Sequence, residues 1–260
     1  MSKETGVSIG GAPITPQTPV TRKESTACRN TPGTPVVSIA SERNVVKVPD
    51  DVPLELVAPL GCGVQTGAGA VLNALRPESG TSLAVFGTGT VGLSGIMAAR
   101  LTGCTVIIGV DLRPNRLELA LELGATHVVD ASKTPDLVAE IVRLTGGGAN
   151  YAIETTGVPG VLRQAADALR VTGVCGVIGA PPMDTPVSFD MNSLLLGRTV
   201  RGIVEGDSIP DLFIPALLDL HAQGRFPFDR LIEVYDFDRI DEAARDSEEG
   251  RVVKPVLRMS

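Results

Sequence analysis

Three glycines, Gly87, Gly89 and Gly92, form a Gly-x-Gly-x-x-Gly motif. The motif follows an apolar stretch at residues 82–86 that is typical of a buried strand, and it precedes a helical pattern at residues 91–101. In this setting the first glycine permits a tight turn, the second lets a pyrophosphate approach the backbone, and the third lets helix and strand pack closely. The N–H groups and the dipole of the helix N-terminus favour the same phosphates. The motif therefore predicts a dinucleotide site.

An acidic residue, Asp111, follows the next predicted strand about 20 residues after the last glycine of the motif. Its carboxylate can accept hydrogen bonds from the adenosine ribose hydroxyls, and its charge repels the 2′-phosphate that distinguishes NADP from NAD. Arg113 and Arg116 are close in sequence and suit that phosphate, but a carboxylate at the strand end usually decides the preference. The sequence predicts NAD as the coenzyme, and the alternative is a glycine-rich turn beside a solvated Asp.

The elements that position these residues alternate between apolar strands and amphipathic helices. Strands are expected at residues 82–86, 105–110, 127–130, 151–154, 174–178 and 199–204. Helices are expected at residues 91–101, from Pro114 to Gly124, at residues 134–144 with Thr134 as N-cap, and at residues 159–169. Such alternation is typical of a parallel sheet covered on both faces by right-handed crossovers. We therefore predict an α/β fold with a Rossmann-type, doubly wound parallel sheet of six strands.

Composition limits the classes of ligand. The formal charge of −7 disfavours nucleic acid and anionic membranes, because both need a basic surface. The longest apolar runs have the length of a strand, far below the roughly 20 residues of a membrane span. No secretory signal pattern is present, and the four cysteines show no paired spacing, so a cytoplasmic protein is expected. Residues 1–36 are rich in Thr-Pro pairs and are predicted to be a disordered tail, with partner docking as the alternative.

Several segments in a fixed order carry a family resemblance. They are GCGVQTGAGA at residues 61–70, the glycine loop, ELGAT at 122–126, ETTG at 154–157, IGAPP at 178–182 and GRFPFD at 224–229. Over about residues 41–259 the chain resembles the zinc-containing medium-chain alcohol dehydrogenases, and within them the aryl (benzyl) alcohol dehydrogenases. The resemblance implies an NAD-dependent oxidoreductase that converts an alcohol to an aldehyde.

The resemblance also assigns coenzyme contacts outside the glycine motif. Arg116 matches a basic residue at the adenosine ribose, Thr155 and Thr156 lie where the chain passes the coenzyme, and Lys254 matches a basic position near the pyrophosphate. The backbone from Ile178 to Ala180 is expected to face the nicotinamide carboxamide. The complete predicted coenzyme site is Gly87, Gly89, Thr90, Val91, Gly92, Asp111, Arg116, Thr155, Thr156, Ile178, Gly179, Ala180 and Lys254.

Cys62 matches one of three ligands of the family's catalytic zinc, a Cys₂His set with an open fourth position. The other two ligands belong to an N-terminal barrel-like domain, of which only a fragment at about residues 41–59 is expected here. The segment before that fragment contains no His. Cys28, His127 and His221 are poor substitutes, and Cys104 and Cys175 are expected to be buried hydrophobic residues. The resemblance therefore predicts an incomplete zinc site.

The predicted organisation has four parts: the tail at 1–36, a remnant of the catalytic domain and linker at 37–63, the NAD-binding domain at 64–204, and a returning segment at 205–260. The edge strand from Thr199 to Val204 resembles the strand that pairs with its twin in family dimers. Apolar positions of the last segment are expected to lack a partner if the barrel is missing. They are Phe213, Leu217, Phe237 and Val256.

Three hypotheses of function follow. The first is an NAD-dependent alcohol dehydrogenase with zinc ligands from an unseen source. The second is a coenzyme-binding remnant or regulatory subunit without turnover. The third is a binding module whose Thr/Pro-rich tail recruits a partner, and it rests on composition alone. Family resemblance favours the first hypothesis, whereas the single zinc ligand favours the second.

Overall fold

A computed structural model of the protein describes residue 41 and residues 44–259. Its main element is a parallel sheet of six strands in the order β3-β2-β1-β4-β5-β6. The strands are β1 (Ser82–Phe86), β2 (Val106–Asp111), β3 (His127–Asp130), β4 (Ala149–Glu154), β5 (Leu169–Val177) and β6 (Thr199–Gly202). The predicted Rossmann-type sheet is thus confirmed, while the Thr/Pro-rich tail lies outside the described residues.

Helices connect the strands and cover both faces of the sheet. They are α1 (Leu54–Val57), α2 (Gln65–Gly69), α3 (Thr90–Thr102), α4 (Pro114–Leu123), α5 (Leu137–Thr145), α6 (Pro159–Asp167), α7 (Met191–Leu195), α8 (Pro210–Ala222) and α9 (Ile240–Glu248). Two π-helical turns, Leu60–Val64 and Ala70–Leu75, flank α2 and extend it at both ends.

Strand β1 lies at the centre of the sheet and pairs with β2 and β4. All five of its residues are buried. Leu83 and Val85 belong to one apolar cluster, and Ala84 and Phe86 belong to the other, because successive side chains of a strand point to opposite faces. A strand that is covered on both faces reads as a continuous apolar run, which is why β1 was predicted from sequence with correct bounds.

Several predicted boundaries were wrong, and the largest difference is that β5 begins at Leu169 and not at residue 174. Helix α5 begins at Leu137, and its N-cap is Asp136, whose carboxylate accepts a hydrogen bond from the Ala139 N–H at 2.9 Å. The predicted cap Thr134 instead donates its hydroxyl to the Asp130 carbonyl oxygen. Strand β6 ends at Gly202, two residues earlier than predicted.

The chain after β6 turns back along the sheet. Its last elements are β7 (Ile232–Asp236) and β8 (Lys254–Arg258), which pair in parallel across α9. Leu217 and Val256 are buried and Phe213 packs against the main cluster, so the prediction that they lack partners was wrong. The reason is that α8 packs beside α2, on the coenzyme-domain fold itself. Phe237 is 47% exposed, as predicted.

The helices of the described residues are short. None of them combines enough length with enough hydropathy to cross a bilayer. The longest described helices, α3 and α8, have 13 residues each.

Candidate functional site

The glycine motif forms the turn between β1 and α3, and each glycine has its own steric reason. Gly87 has a φ of +90°, and a Cβ there would lie 2.6 Å from the Thr155 Oγ1. A Cβ on Gly92 would overlap the Gly87 carbonyl oxygen. A Cβ on Gly89 would meet only the Nη1 of Arg116, at 3.7 Å. Two glycines thus serve packing, whereas Gly89 borders open space that a ligand can enter.

Helix α3 begins beside this open space. Gly89 is its N-cap, and no side chain caps the helix. The first N–H groups of a helix have no intrahelical acceptor, so Thr90 and Val91 present N–H donors at the loop. A helix N-terminus with free donors and a favourable dipole suits a phosphate group.

The Asp111 carboxylate is fixed by four hydrogen bonds. Its Oδ2 accepts from the backbone N–H of Thr88 at 2.7 Å and from the Thr88 hydroxyl at 2.8 Å. Its Oδ1 accepts from the backbone N–H groups of Leu112 at 2.8 Å and Arg113 at 3.1 Å. Thr88 is fully buried, and sequence reasoning missed it because it is a variable position of the motif. The four bonds hold a negative charge at the end of β2.

Arg116 and Arg113 lie on the same side of the loop but have different surroundings. The Nε of Arg116 is buried and has no hydrogen-bond partner among the described residues. Burial lowers the pKa of Arg116, although the charge of Asp111 opposes this effect. The guanidinium of Arg113 instead donates to the backbone oxygens of Glu248, at 2.8 Å, and Glu249. Arg116 is therefore the residue with donors to spare beside Gly89.

A buried carboxylate that the sequence analysis did not single out organises the loop after β4. Glu154 is completely buried, and its Oε1 accepts from the Thr156 N–H at 2.6 Å, from the Thr156 hydroxyl at 2.5 Å and from the Gly157 N–H at 3.1 Å. The Thr155 hydroxyl donates to the carbonyl oxygens of Phe86 and Gly87 at 2.9 and 3.1 Å. The loop that carries Thr155 and Thr156 is thus tied to the glycine loop.

The loop after β5 completes the cleft. The N–H groups of Ile178 and Gly179 donate to the Glu154 carbonyl oxygen at 2.9 and 3.0 Å. A Cβ on Gly179 would lie 2.6 Å from the Gly157 Cα, so the two loops are in contact, and Ala180 next to them is exposed. The cleft lies at the carboxyl ends of the strands, where the strand order reverses between β1 and β4, which is the usual ligand site of open α/β sheets.

Lys254 begins β8 and is half-buried. The carbonyl oxygen of its neighbour Val253 accepts a weak hydrogen bond from the Thr90 hydroxyl at 3.5 Å. Lys254 is therefore located close to the start of α3. The structure brings the predicted coenzyme residues of all three loops and of β8 to one edge of the sheet.

Cys62 is exposed and lies in the π-helical turn Leu60–Val64. A Cβ on the next residue, Gly63, would lie 2.9 Å from the Thr90 Cγ2, so this turn packs on the start of α3. No three His, Cys, Asp or Glu residues of the described chain are grouped so that they could hold a metal ion. The donors that the described residues offer therefore do not fit a catalytic zinc, which needs three protein ligands.

The two histidines take part in other contacts. His127 begins β3, at the opposite edge of the sheet from the cleft, and shares a hydrogen bond with the Thr126 hydroxyl. His221 lies 3.5 Å from an Asp229 carboxylate oxygen and against the Phe228 ring. Cys104 and Cys175 are buried, as predicted, whereas Cys28 lies outside the described residues.

A strained turn after β6 adds a feature that the sequence did not indicate. Glu205, Gly206 and Asp207 have φ values of +48°, +68° and +48°. The Glu205 carboxylate accepts hydrogen bonds from the Gln65 amide at 3.1 Å and the Thr66 hydroxyl at 3.3 Å. The turn is thereby anchored to α2, one helical turn from Cys62. Strain of this kind in non-glycine residues is concentrated at functional sites.

The sheet order, the glycine turn and the cleft at the switch point define a Rossmann-type α/β protein. The family model described as zinc-binding dehydrogenase matches residues 90–222, which are 133 of the 260 residues. The chain belongs to this family.

Individual relatives agree with this assignment. The geraniol dehydrogenase of Castellaniella defragrans is 48% identical over 221 residues, which are 85% of this chain and 59% of that protein. The crystal structure of an alcohol dehydrogenase zinc-binding domain protein from Burkholderia ambifaria is 56% identical with a TM-score of 0.82, over 85% of this chain and 60% of that one. The crystal structure of the benzyl alcohol dehydrogenase of Acinetobacter calcoaceticus is 49% identical with a TM-score of 0.80, over 83% of this chain and 59% of that one.

The resemblance predicted from the sequence motifs is thus confirmed, with a benzyl alcohol dehydrogenase among the relatives. The chain spans about 60% of the length of these relatives.

Proposed function

We propose that this chain binds NAD(H) and acts in an alcohol dehydrogenase that interconverts aryl or other primary alcohols with their aldehydes. The observation that carries the coenzyme assignment is the open side of Gly89, which faces free helix N–H groups and the Arg116 guanidinium. A cationic side chain with a buried, unpaired N–H beside free backbone donors is an arrangement that an anionic ligand completes. The names of the relatives support the dehydrogenase reaction.

Different residues of the cleft bind different parts of the coenzyme. The N–H groups of Thr90 and Val91 hold the pyrophosphate, with Lys254 close by, and the Arg116 guanidinium lies at the adenosine ribose. Asp111 accepts from the adenosine ribose. The loops at Thr155 and Thr156 and at residues 178–180 lie along the nicotinamide half. When bound, NAD supplies the hydride acceptor, and the protein supplies position and electrostatics.

Zinc and turnover depend on residues beyond those described. By resemblance Cys62 is a zinc ligand of the family, and the described residues offer no metal-holding group of three, so a zinc at this position needs further donors from elsewhere. This observation favours one alternative function, in which the chain binds NAD without turnover.

Three further assignments belong to the same proposal. Residues 64–204 form the coenzyme domain, with residues 37–63 and 205–260 associated with the catalytic domain of the longer relatives. Two copies pair through the edge segment at residues 199–204, which contains β6. Val204 at its end is 80% exposed, and Leu195 shortly before it is 82% exposed. The protein works in the cytoplasm on small molecules, and its charge of −7 disfavours nucleic acid and anionic membranes as partners.

A titration with NADH followed by nicotinamide fluorescence tests the proposal, and the absence of Trp keeps the background low. We expect saturable enhancement in the wild-type protein, and a decay of the signal when benzaldehyde is added with zinc. No enhancement at millimolar NADH in a folded sample refutes coenzyme binding. Stable enhancement without decay refutes turnover of this aldehyde and supports the alternative.

The coenzyme preference has its own variant. Asp111→Ala removes the carboxylate that repels a 2′-phosphate, so the ratio of NADH to NADPH affinity is expected to fall about tenfold. This change corresponds to roughly 1.4 kcal/mol of binding free energy. An unchanged ratio contradicts the role given to Asp111.

A further inference from the structure

Arg113 is the second residue after Asp111, but its guanidinium is bound to backbone oxygens at the end of α9. It donates from Nη2 to the Glu248 carbonyl oxygen at 2.8 Å and from Nη1 to the Glu249 carbonyl oxygen. These oxygens belong to the C-terminal end of α9, where unpaired carbonyls and the negative end of the helix dipole attract a cation. Arg113 is therefore bound by the last turn of α9.

The fit between Arg113 and this turn is tight. Gly250 has a φ of +73°, and a Cβ there would overlap the Arg113 guanidinium and lie 2.6 Å from its Cδ. The Asn115 amide reinforces the contact by donating to the Gly250 carbonyl oxygen at 2.8 Å. Glycine at position 250 is thus the residue that leaves room for the guanidinium.

The backbone of Arg113 nevertheless stays at the coenzyme site, because its N–H donates to the Asp111 Oδ1 at 3.1 Å. From this position a free arginine side chain can reach the ribose end of a dinucleotide. Arginine close to the acid at the end of this strand accommodates the 2′-phosphate of NADP, and guanidinium and phosphate form strong bidentate pairs. The difference between a bound and a free Arg113 is therefore a difference in coenzyme preference.

We propose that the C-terminal turn of α9, Glu248 to Gly250, is a latch that withholds Arg113 from the coenzyme and so enforces the preference for NAD. This inference rests on the proposed NAD site at Asp111. It makes Gly250 a specificity-determining position, although it has no contact with the coenzyme. Repulsion by Asp111 and withdrawal of Arg113 act in the same direction, since one rejects the 2′-phosphate and the other removes its best partner.

The test is Gly250→Ala, whose Cβ displaces the Arg113 side chain. We expect the affinity for NADPH to rise about tenfold while the affinity for NADH stays within twofold of wild type. Gly146→Ala is the matched control, because Gly146 also follows a helix with a φ of +67° but a Cβ there meets nothing within 4 Å. The control shares the backbone strain and leaves Arg113 in place.

Two further variants assign the effect to Arg113. The double variant Gly250→Ala/Arg113→Ala is expected to lose the gain in NADPH affinity, and Arg113→Ala alone is expected to leave both affinities unchanged. The latch is refuted if Gly250→Ala binds NADPH as weakly as wild type, or if Arg113→Ala alone weakens NADPH binding. The Arg113→Ala result tests the latch even if Gly250→Ala does not fold. Failure of the wild-type protein to bind NADH overturns both the proposed function and the latch. Normal NADH binding together with an unchanged NADPH affinity in Gly250→Ala overturns the latch alone.

Discussion

Replacement of Gly89 by alanine separates coenzyme binding from folding. The residue has φ and ψ angles of −78° and −167°, which any L-residue adopts. An added Cβ meets only the Arg116 Nη1 at 3.7 Å, an ordinary van der Waals distance. The folded protein therefore tolerates Gly89→Ala, and the smaller entropy of the unfolded alanine chain adds about 0.4–1 kcal/mol of stability.

The same methyl group blocks the approach of a pyrophosphate to the N–H groups at the start of α3. A hydrogen bond to a charged group contributes about 1.5–3 kcal/mol, so the loss of one such bond lowers the affinity for NADH by about 10-fold to 150-fold. Nicotinamide fluorescence measures the affinity, and thermal unfolding followed by circular dichroism measures the stability.

Gly160→Ala is the matched control for this prediction. Gly160 lies in α6, and a Cβ there meets nothing within 4 Å. The control is expected to keep wild-type affinity and to gain stability in the same way. If Gly89→Ala is folded and binds NADH as tightly as the control, the phosphates do not approach the backbone at Gly89 and the coenzyme placement is wrong.

Three other predictions concern side chains near the cleft. Thr88→Val removes a buried hydroxyl that donates to Asp111, so the free energy of unfolding in urea should fall by about 1.5–3 kcal/mol. Thr88→Ser keeps the hydroxyl and should be about as stable as wild type. Equal stability of the two variants contradicts this role of the hydroxyl. Arg116→Gln should change the free energy of unfolding by less than about 0.5 kcal/mol, because the Arg116 Nε is unpaired. The same variant should weaken NADH binding about tenfold in the fluorescence titration. Unchanged NADH binding would show that Arg116 is not part of the coenzyme site. Burial, helped by the charge of Glu154, raises the pKa of Cys175 to about 12, so its thiol stays neutral below that pH. In native protein at pH 7 to 9, peptide mapping should therefore find iodoacetamide on the exposed Cys62 and not on Cys175, and labelling of Cys175 contradicts its burial.

The sheet was predictable because its signals are local. A run of buried residues at β1, a glycine turn after it and an acid at the end of β2 identify a strand, a helix start and a second strand without knowledge of the rest of the chain. The N-cap of α5 was assigned to Thr134 and belongs to Asp136. Both residue types cap helices, and the choice depends on which side chain reaches the Ala139 N–H.

The contacts that organise the cleft were not predictable, because they join residues far apart in sequence. Glu154 reads as the polar end of a strand, and only its burial reveals that it holds the Thr156 loop. Arg113 reads as a second candidate for the 2′-phosphate, but its partner lies 135 residues later. Pairing across such distances depends on tertiary packing, for which a single sequence contains no periodic signal.

The strand order has a consequence for biosynthesis. β1 is the first strand of this sheet to leave the ribosome but lies at its centre, with β4 as one of its neighbours. The hydrogen bonds between Leu83–Phe86 and β4 can therefore form only after Tyr151–Glu154 has been synthesised. At about 5–20 residues per second this interval lasts several seconds, during which an apolar strand edge is exposed. The nascent chain is a natural client for chaperones during that interval, and the contact between Arg113 and the α9 turn is among the last to form.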